Sequence, residues 1–178
     1  MKRIIVNYIA APLTAFGLAV GSASVNAAPK QEGFYVLHFP ARGKIGTVGV
    51  AEAGADYSEK HIPTKKFAEA NGTVRLAKGK GICFIATDFM GLEKPVDVIC
   101  TLPAEAVTSI TLSNNIFDEN EILKLLRFAG LKRLELTGTE VTDETIAKLA
   151  SLQNLETLIV DRTRIRGKFL AKLSNNKS

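Results

Sequence analysis

The chain has no tryptophan, two cysteines, two histidines and few aromatic residues, 7% in all. Each scarcity excludes something. His38 lies in the apolar run "GFYVLHFP" and reads as a structural residue, while His61 precedes Ile62-Pro63 and reads as a solvated loop residue. Cys83 in "GICFIA" and Cys100 in "DVICTL" sit among apolar neighbours. A nucleophilic thiolate instead needs an adjacent base and an electropositive, accessible setting. No P-loop, dinucleotide fingerprint, zinc-ligand spacing or G-x-S-x-G motif occurs. The acidic residues are spread as helix caps and surface charges, not as an isolated pair for acid/base work. No catalytic residue, cofactor, metal ligand or small-molecule substrate is therefore expected. Asn71-Gly72-Thr73 matches a glycosylation sequon but reads as a turn.

Long apolar runs are also missing, except at the start. Lys2 and Arg3 precede "IIVNYIAAPLTAFGLAV" (Ile4 to Val20), and "GSASVNA" follows, with Val25 and Ala27 at the −3 and −1 positions of a cleavage site. This is the pattern of a secretory signal peptide over residues 1–27. The alternative is an uncleaved anchor, but the run is at the short limit for a spanning helix. The expected location is the periplasm or the extracellular space. Such a compartment permits a disulfide, so Cys83 and Cys100 are a candidate pair.

What the sequence has in quantity is internal similarity. "LKRLELTGTEVTDETIAKLASLQN" (Leu131 to Asn154) aligns without a gap on "VTSITLSNNIFDENEILKLLRFAG" (Val107 to Gly130) and on "LETLIVDRTRIRGKFLAKLSNNKS" (Leu155 to Ser178). Apolar residues recur in register: Val107, Leu131 and Leu155, then Ile110, Leu134 and Leu158, then Leu112, Leu136 and Val160. Phe117, Val141 and Ile165 follow, then Ile122, Ile146 and Leu170, then Leu125, Leu149 and Leu173. The early positions have the period of two of a half-buried strand, and the late ones have helical spacing. Asp118 with Glu121 reads as a capping box, and Thr142 with Asp143 and Glu144 supplies a cap and negative charge at a helix start. One strand–helix unit cannot bury its own apolar face; stacked units bury it together and pair their strands in parallel. The ninth position holds Asn115, Thr139 and Thr163, whose side chains can bond backbone groups left unpaired where the strand turns.

The pattern L-x-x-L-x-L-x-x-[N/T]-x-apolar resembles the leucine-rich repeat family. More narrowly, "L-x-L-x-G-T-x-V-T-D" is similar to the short 24-residue repeats of secreted and envelope-associated, planctomycete-type bacterial proteins. The resemblance covers residues 107–178. It departs from the family where threonine replaces asparagine in two units. It departs again where Arg166, Gly167 and Lys168 occupy the third unit's cap and acidic first turn. That helix is expected to fray. The resemblance implies an α/β fold: a short leucine-rich repeat solenoid with parallel strands, short helices and a β-rich N-terminal capping region over residues 28–106.

Within that region, 33–40 and 44–51 read as strands joined by a turn at Ala41 to Gly43. Residues 53–70 read as polar and irregular, with a helical turn at the end. Residues 71–87 read as a hairpin, begun at Asn71-Gly72 and turned by "AKGKG". "EKPVDVICTLPAEA" is a strand by β-branching or a short helix opened by Pro95. The helix is preferred, because a strand at Ile82 to Ile85 and a helix at Val96 to Leu102 would make a degenerate capping coil. That coil would hold both cysteines.

Two surfaces are candidates for function. Strand alternation turns Ser109, Thr111 and Ser113 outward in the first unit. Arg133, Glu135 and Thr137 follow in the second, and Thr157, Ile159 and Asp161 in the third. The last six are the partner-binding candidates; a plain solvated face is the alternative. The second surface is basic. The first two units are each acidic by one charge, while the third has six basic residues against two acidic. Thr163 and Ile165 are expected to point in, leaving Arg162, Arg164, Arg166 and Lys168 outside, where they could attract an anionic surface. A charged end that keeps the molecule soluble is the simpler reading. The cluster lacks aromatic residues, which argues against nucleic acid. The expected function is non-catalytic recognition of a protein partner in the envelope or outside the cell. The alternatives are adhesion to anionic envelope surfaces through the last unit and, more weakly, an enzyme with its site in 33–87.

Overall fold

The computed structural model of the protein describes residues 5–6, 33–41, 45–51, 55–57, 64–78, 81–87 and 95–168. The fold is mixed α/β: a mostly parallel sheet, a second small sheet and a few short helices. The strands are β1 (Ile5–Val6), β2 (Phe34–His38), β3 (Gly46–Ala51), β4 (Thr64–Glu69) and β5 (Thr73–Ala77). They continue with β6 (Ile82–Ala86), β7 (Val107–Thr111), β8 (Arg133–Glu135) and β9 (Thr157–Ile159). Helices α1 (Pro95–Ile99), α2 (Glu119–Leu123) and α3 (Asp143–Leu149) follow β6, β7 and β8, and a 3-10 turn, Lys124–Arg127, prolongs α2. The large sheet runs β1-β9-β8-β7-β6-β3-β4, and β2 pairs with β5 alone.

From β6 to β9 neighbouring strands are parallel, and β3 joins β6 antiparallel. The register across the last three strands follows the sequence period: Ile110 lies beside Leu134, and Leu134 beside Leu158. Backbone bonds repeat with it. The Leu112 and Leu136 amides donate to the Glu135 and Ile159 carbonyls, both at 2.8 Å, and the Asn114 and Gly138 amides to those of Thr137 and Asp161, also at 2.8 Å. Just beyond each strand the chain enters the left-handed region at the same position: Asn114 (φ 57), Gly138 (φ 69) and Arg162 (φ 53).

Ile110, Leu112, Leu134, Leu136, Leu158 and Val160 point to the helix side and are buried with Phe117, Ile122, Leu125, Val141, Ile146 and Leu149. Each such side chain contributes on the order of 1.5–3 kcal/mol by leaving water. The cap expectations hold. The Glu121 amide donates to the Asp118 carboxylate at 2.9 Å and the Asp118 amide to the Glu121 carboxylate at 3.3 Å. Thr142 and Thr145 form a second reciprocal box. The Thr139 and Thr163 hydroxyls donate to the carbonyls of Leu136 and Val160, at 2.6 and 2.8 Å, so the ninth position closes its own turn. Leu170, Leu173 and the third unit's expected helix lie outside the described residues.

The helix reading is right in type but not in length: α1 spans Pro95–Ile99 and stops short of the expected end at Leu102, with Val96, Ile99 and Leu102 buried, and β6 is the strand ahead of it. Its register with β7 shifts between Ile82 and Cys83, so this coil does not keep the 24-residue spacing. The pairing expectations upstream are overturned. Strands β2 and β3 do fall within the two stretches read as strands, but β2 pairs with β5 and β3 pairs with β4 and β6. Residues 64–69 are a strand, not a helical turn. β5 and β6 lie in different sheets and make no hairpin. The reason is burial. β5 hides only Val74 and Leu76, on one face, and suits a two-stranded sheet. β6 buries Ile82, Cys83 and Phe84 in succession, as a strand covered on both faces does. Asn71-Gly72 does turn the chain, between β4 and β5, with Gly72 at φ 59.

The candidate disulfide is not formed: Cys83 and Cys100 are free. Alternation explains it. Ile82 and Phe84 enter the main core, so Cys83 projects from the opposite face of the sheet, beside Ala51 and Tyr57. Cys100 packs against the main core, and its thiol approaches the Lys124 carbonyl at 3.9 Å. Among the described residues no helix is long and apolar enough to cross a membrane.

Candidate functional site

The face of the large sheet away from the helices is built in rows. Cys83, Ser109, Arg133 and Thr157 are side by side across β6–β9, and Ile85, Thr111, Glu135 and Ile159 form the next row. Ser113, Thr137 and Asp161 continue one step beyond the strands. The six partner-binding candidates therefore do share one face, but not one exposure. Arg133, Thr137 and Thr157 are buried, whereas Glu135, Ile159 and Asp161 are half-buried. The reading of this whole face as open to solvent is corrected accordingly.

Residues 55–57 cover part of the first row. Tyr57 packs with Ala51 and Cys83, and its hydroxyl donates to Thr108 Oγ1 at 2.9 Å. Its backbone carbonyl accepts from Arg133 Nη1 at 3.3 Å, and Lys132 Nζ stands 5.2 Å from the ring centre. Burial pushes the Tyr57 phenol above its ordinary range, and burial pushes the Cys83 thiol up to about 11. Gly81 makes this contact fit: a Cβ there would lie 2.3 Å from Thr108 Oγ1 and 3.0 Å from the Tyr57 hydroxyl.

Arg133 is only 2% exposed, and an arginine so placed must keep its charge compensated. Its Nη2 donates to Glu135 Oε2 at 3.2 Å. The other oxygen, Oε1, accepts from Ser113 Oγ and from Thr137 Oγ1, each at 3.4 Å. Glu135 is thus fixed by three donors, Arg133 of β8 and Ser113 and Thr137 just beyond β7 and β8, while its side chain stays 24% exposed. A carboxylate held this way is preorganised to accept one more hydrogen bond from outside. Arg133 orients Glu135 and is not itself available for contact. Sequence reasoning placed Glu135, Ile159 and Asp161 on the accessible face but missed Tyr57 and Thr108. Tyr57 stands in the irregular stretch "AGADYSEK", and nothing local signals its contacts 51 and 76 positions away.

The basic candidates Arg162, Arg164, Arg166 and Lys168 are all exposed, while Thr163 and Ile165 between them are half-buried, as the alternation required. Arg164 Nη2 is 2.7 Å from the Glu140 carboxylate. The Arg166 and Gly167 amides donate to the Asp143 carboxylate at 2.9 and 3.0 Å, which pins this segment to the start of α3.

In the N-terminal half, His38 is exposed on β2, with Nδ1 3.3 Å from Thr73 Oγ1. Cys83 is in the other sheet, buried and protonated, the opposite of a thiolate nucleophile's setting. His61 lies outside the described residues. No group of acidic, histidine or cysteine side chains that could hold a metal is found among the described residues. No family model, curated protein or solved structure matches the chain.

Proposed function

We propose that the chain is an exported, non-catalytic leucine-rich repeat protein that binds another protein in the cell envelope or outside the cell. Residues 107–178 would be a three-unit solenoid, 28–106 its β-rich N-terminal cap, and 1–27 a signal peptide. Support for the architecture comes from the 24-residue register of β7–β9 and the left-handed residue recurring at Asn114, Gly138 and Arg162. Support for the function rests on one observation, the half-buried, still accessible Glu135 carboxylate fixed by Arg133, Ser113 and Thr137 on the strand face. Such faces are where repeat proteins take their partners. The test is a crosslinking pulldown of the processed protein from its own envelope, alongside Glu135→Lys and Asp161→Lys. The partner captured by the wild type should be lost from at least one variant. Undiminished capture by both rejects the strand face.

A second reading has one observation in its favour, the common exposure of Arg162, Arg164, Arg166 and Lys168. Here the last unit adheres to an anionic envelope surface. Charge reversal at Arg162, Arg164 and Arg166 should abolish envelope association, and salt should weaken it in the wild type. Retention that is indifferent to both excludes adhesion.

A further inference from the structure

The large sheet ends at β4 on one side and, on the other, at β1 laid against β9. The β9 edge, Thr157-Leu158-Ile159, has no charge, and two of its three residues are β-branched. The Thr157 amide donates to the Lys132 carbonyl at 2.9 Å, and the Ile159 carbonyl accepts from the Leu136 amide at 2.8 Å. Since backbone groups alternate in direction along a strand, those of Leu158 face away from β8. They face β1, which lies antiparallel with Val6 opposite Leu158 and Ile5 opposite Ile159. Ile5 and Val6 belong to the segment read as a leader. Its removal would open an uncharged edge next to the accessible Ile159 and two strands from Ser113.

We propose that the β9 edge of the processed protein receives an extended, apolar, β-branched segment of its partner, added antiparallel as an extra strand, and that β1 occupies this edge in the precursor. The proposal deepens the protein-binding reading above and rests on it. In strand addition main-chain hydrogen bonds supply the affinity and alternate side chains the selectivity. The partner's segment therefore needs an extended pair such as Ile-Val and a free amide opposite Leu158.

The test uses the full chain and a synthetic peptide of residues 2–9 as the probe. In the wild type, β1 fills the edge and the probe should not bind. Val6→Pro removes the amide that pairs with Leu158, so this variant should admit the probe. At about ten times its dissociation constant the probe should slow amide exchange across 155–161 about tenfold. A probe N-methylated at the valine should lose that protection, whereas side-chain adsorption would survive it. Protection by a scrambled peptide, or none in Val6→Pro, overturns the proposal. So does a concentration-dependent dimer of Val6→Pro with 155–161 protected without probe, which gives the edge to a second copy. N-terminal sequencing of the secreted protein separately tests the leader: a retained Met1 refutes cleavage, and the Val6→Pro result still stands or falls alone.

Discussion

Arg162 has a left-handed backbone (φ 53) at the position where the preceding units have Asn114 and Gly138. Asparagine and glycine tolerate this region, and an arginine there is strained by about 1 kcal/mol. Arg162→Gly should therefore raise stability by roughly 0.5–1 kcal/mol in urea unfolding. Gly138→Ala should do the reverse and by more, because a Cβ there would also lie 2.5 Å from Asn114 Oδ1. Cys83 gives a second prediction at this scale. Its thiol is raised by burial from 9.0 to about 11. The unfolded chain then loses this proton first, so the contribution to stability is full below pH 9 and is lost as pH rises through 11. Native Cys83 should resist alkylation at pH 8, and Cys83→Ala should flatten the decline in stability between pH 9 and 11.

At the scale of the element, the caps decide which helices are well founded. α2 has only five residues, yet its capping box satisfies two amides that would otherwise be unpaired. Asp118→Ala should cost about 1 kcal/mol. Thr142→Ala should cost less, since the bond it loses is long, 3.5 Å from the Thr145 amide to Thr142 Oγ1. Thermal unfolding of the two variants compares them. These elements were readable because their signals are local: a cap residue, its reciprocal partner three positions on, and an apolar set at fixed spacing. The partners of β2, β3 and β5 were not. Each is a plausible strand by pattern, and the choice of neighbour depends on how many faces the strand must bury.

For the whole molecule, the two sheets share one core. Phe39, just after β2, stacks on Phe84 of β6 with ring centres 6.3 Å apart, and both belong to the cluster that reaches Leu158. Phe39→Ala should destabilise by about 3–5 kcal/mol. It should leave a single urea transition that is the same by fluorescence and far-UV circular dichroism. Two transitions would mean that the β2–β5 sheet unfolds by itself.

The sequence by itself determined the strands and caps of 107–168, the residues that face the helices, and the alternation that exposes Glu135, Ile159 and Asp161. It could do so because a period of 24 residues repeats the same short-range constraints, and three copies restate them. Tertiary structure decided which part of that face is accessible, that Arg133 is buried under Tyr57, and that Cys83 and Cys100 stay apart. Those outcomes depend on contacts between segments far apart in the chain. Their energy comes from surfaces fitting together, and no local pattern of residue types encodes that fit.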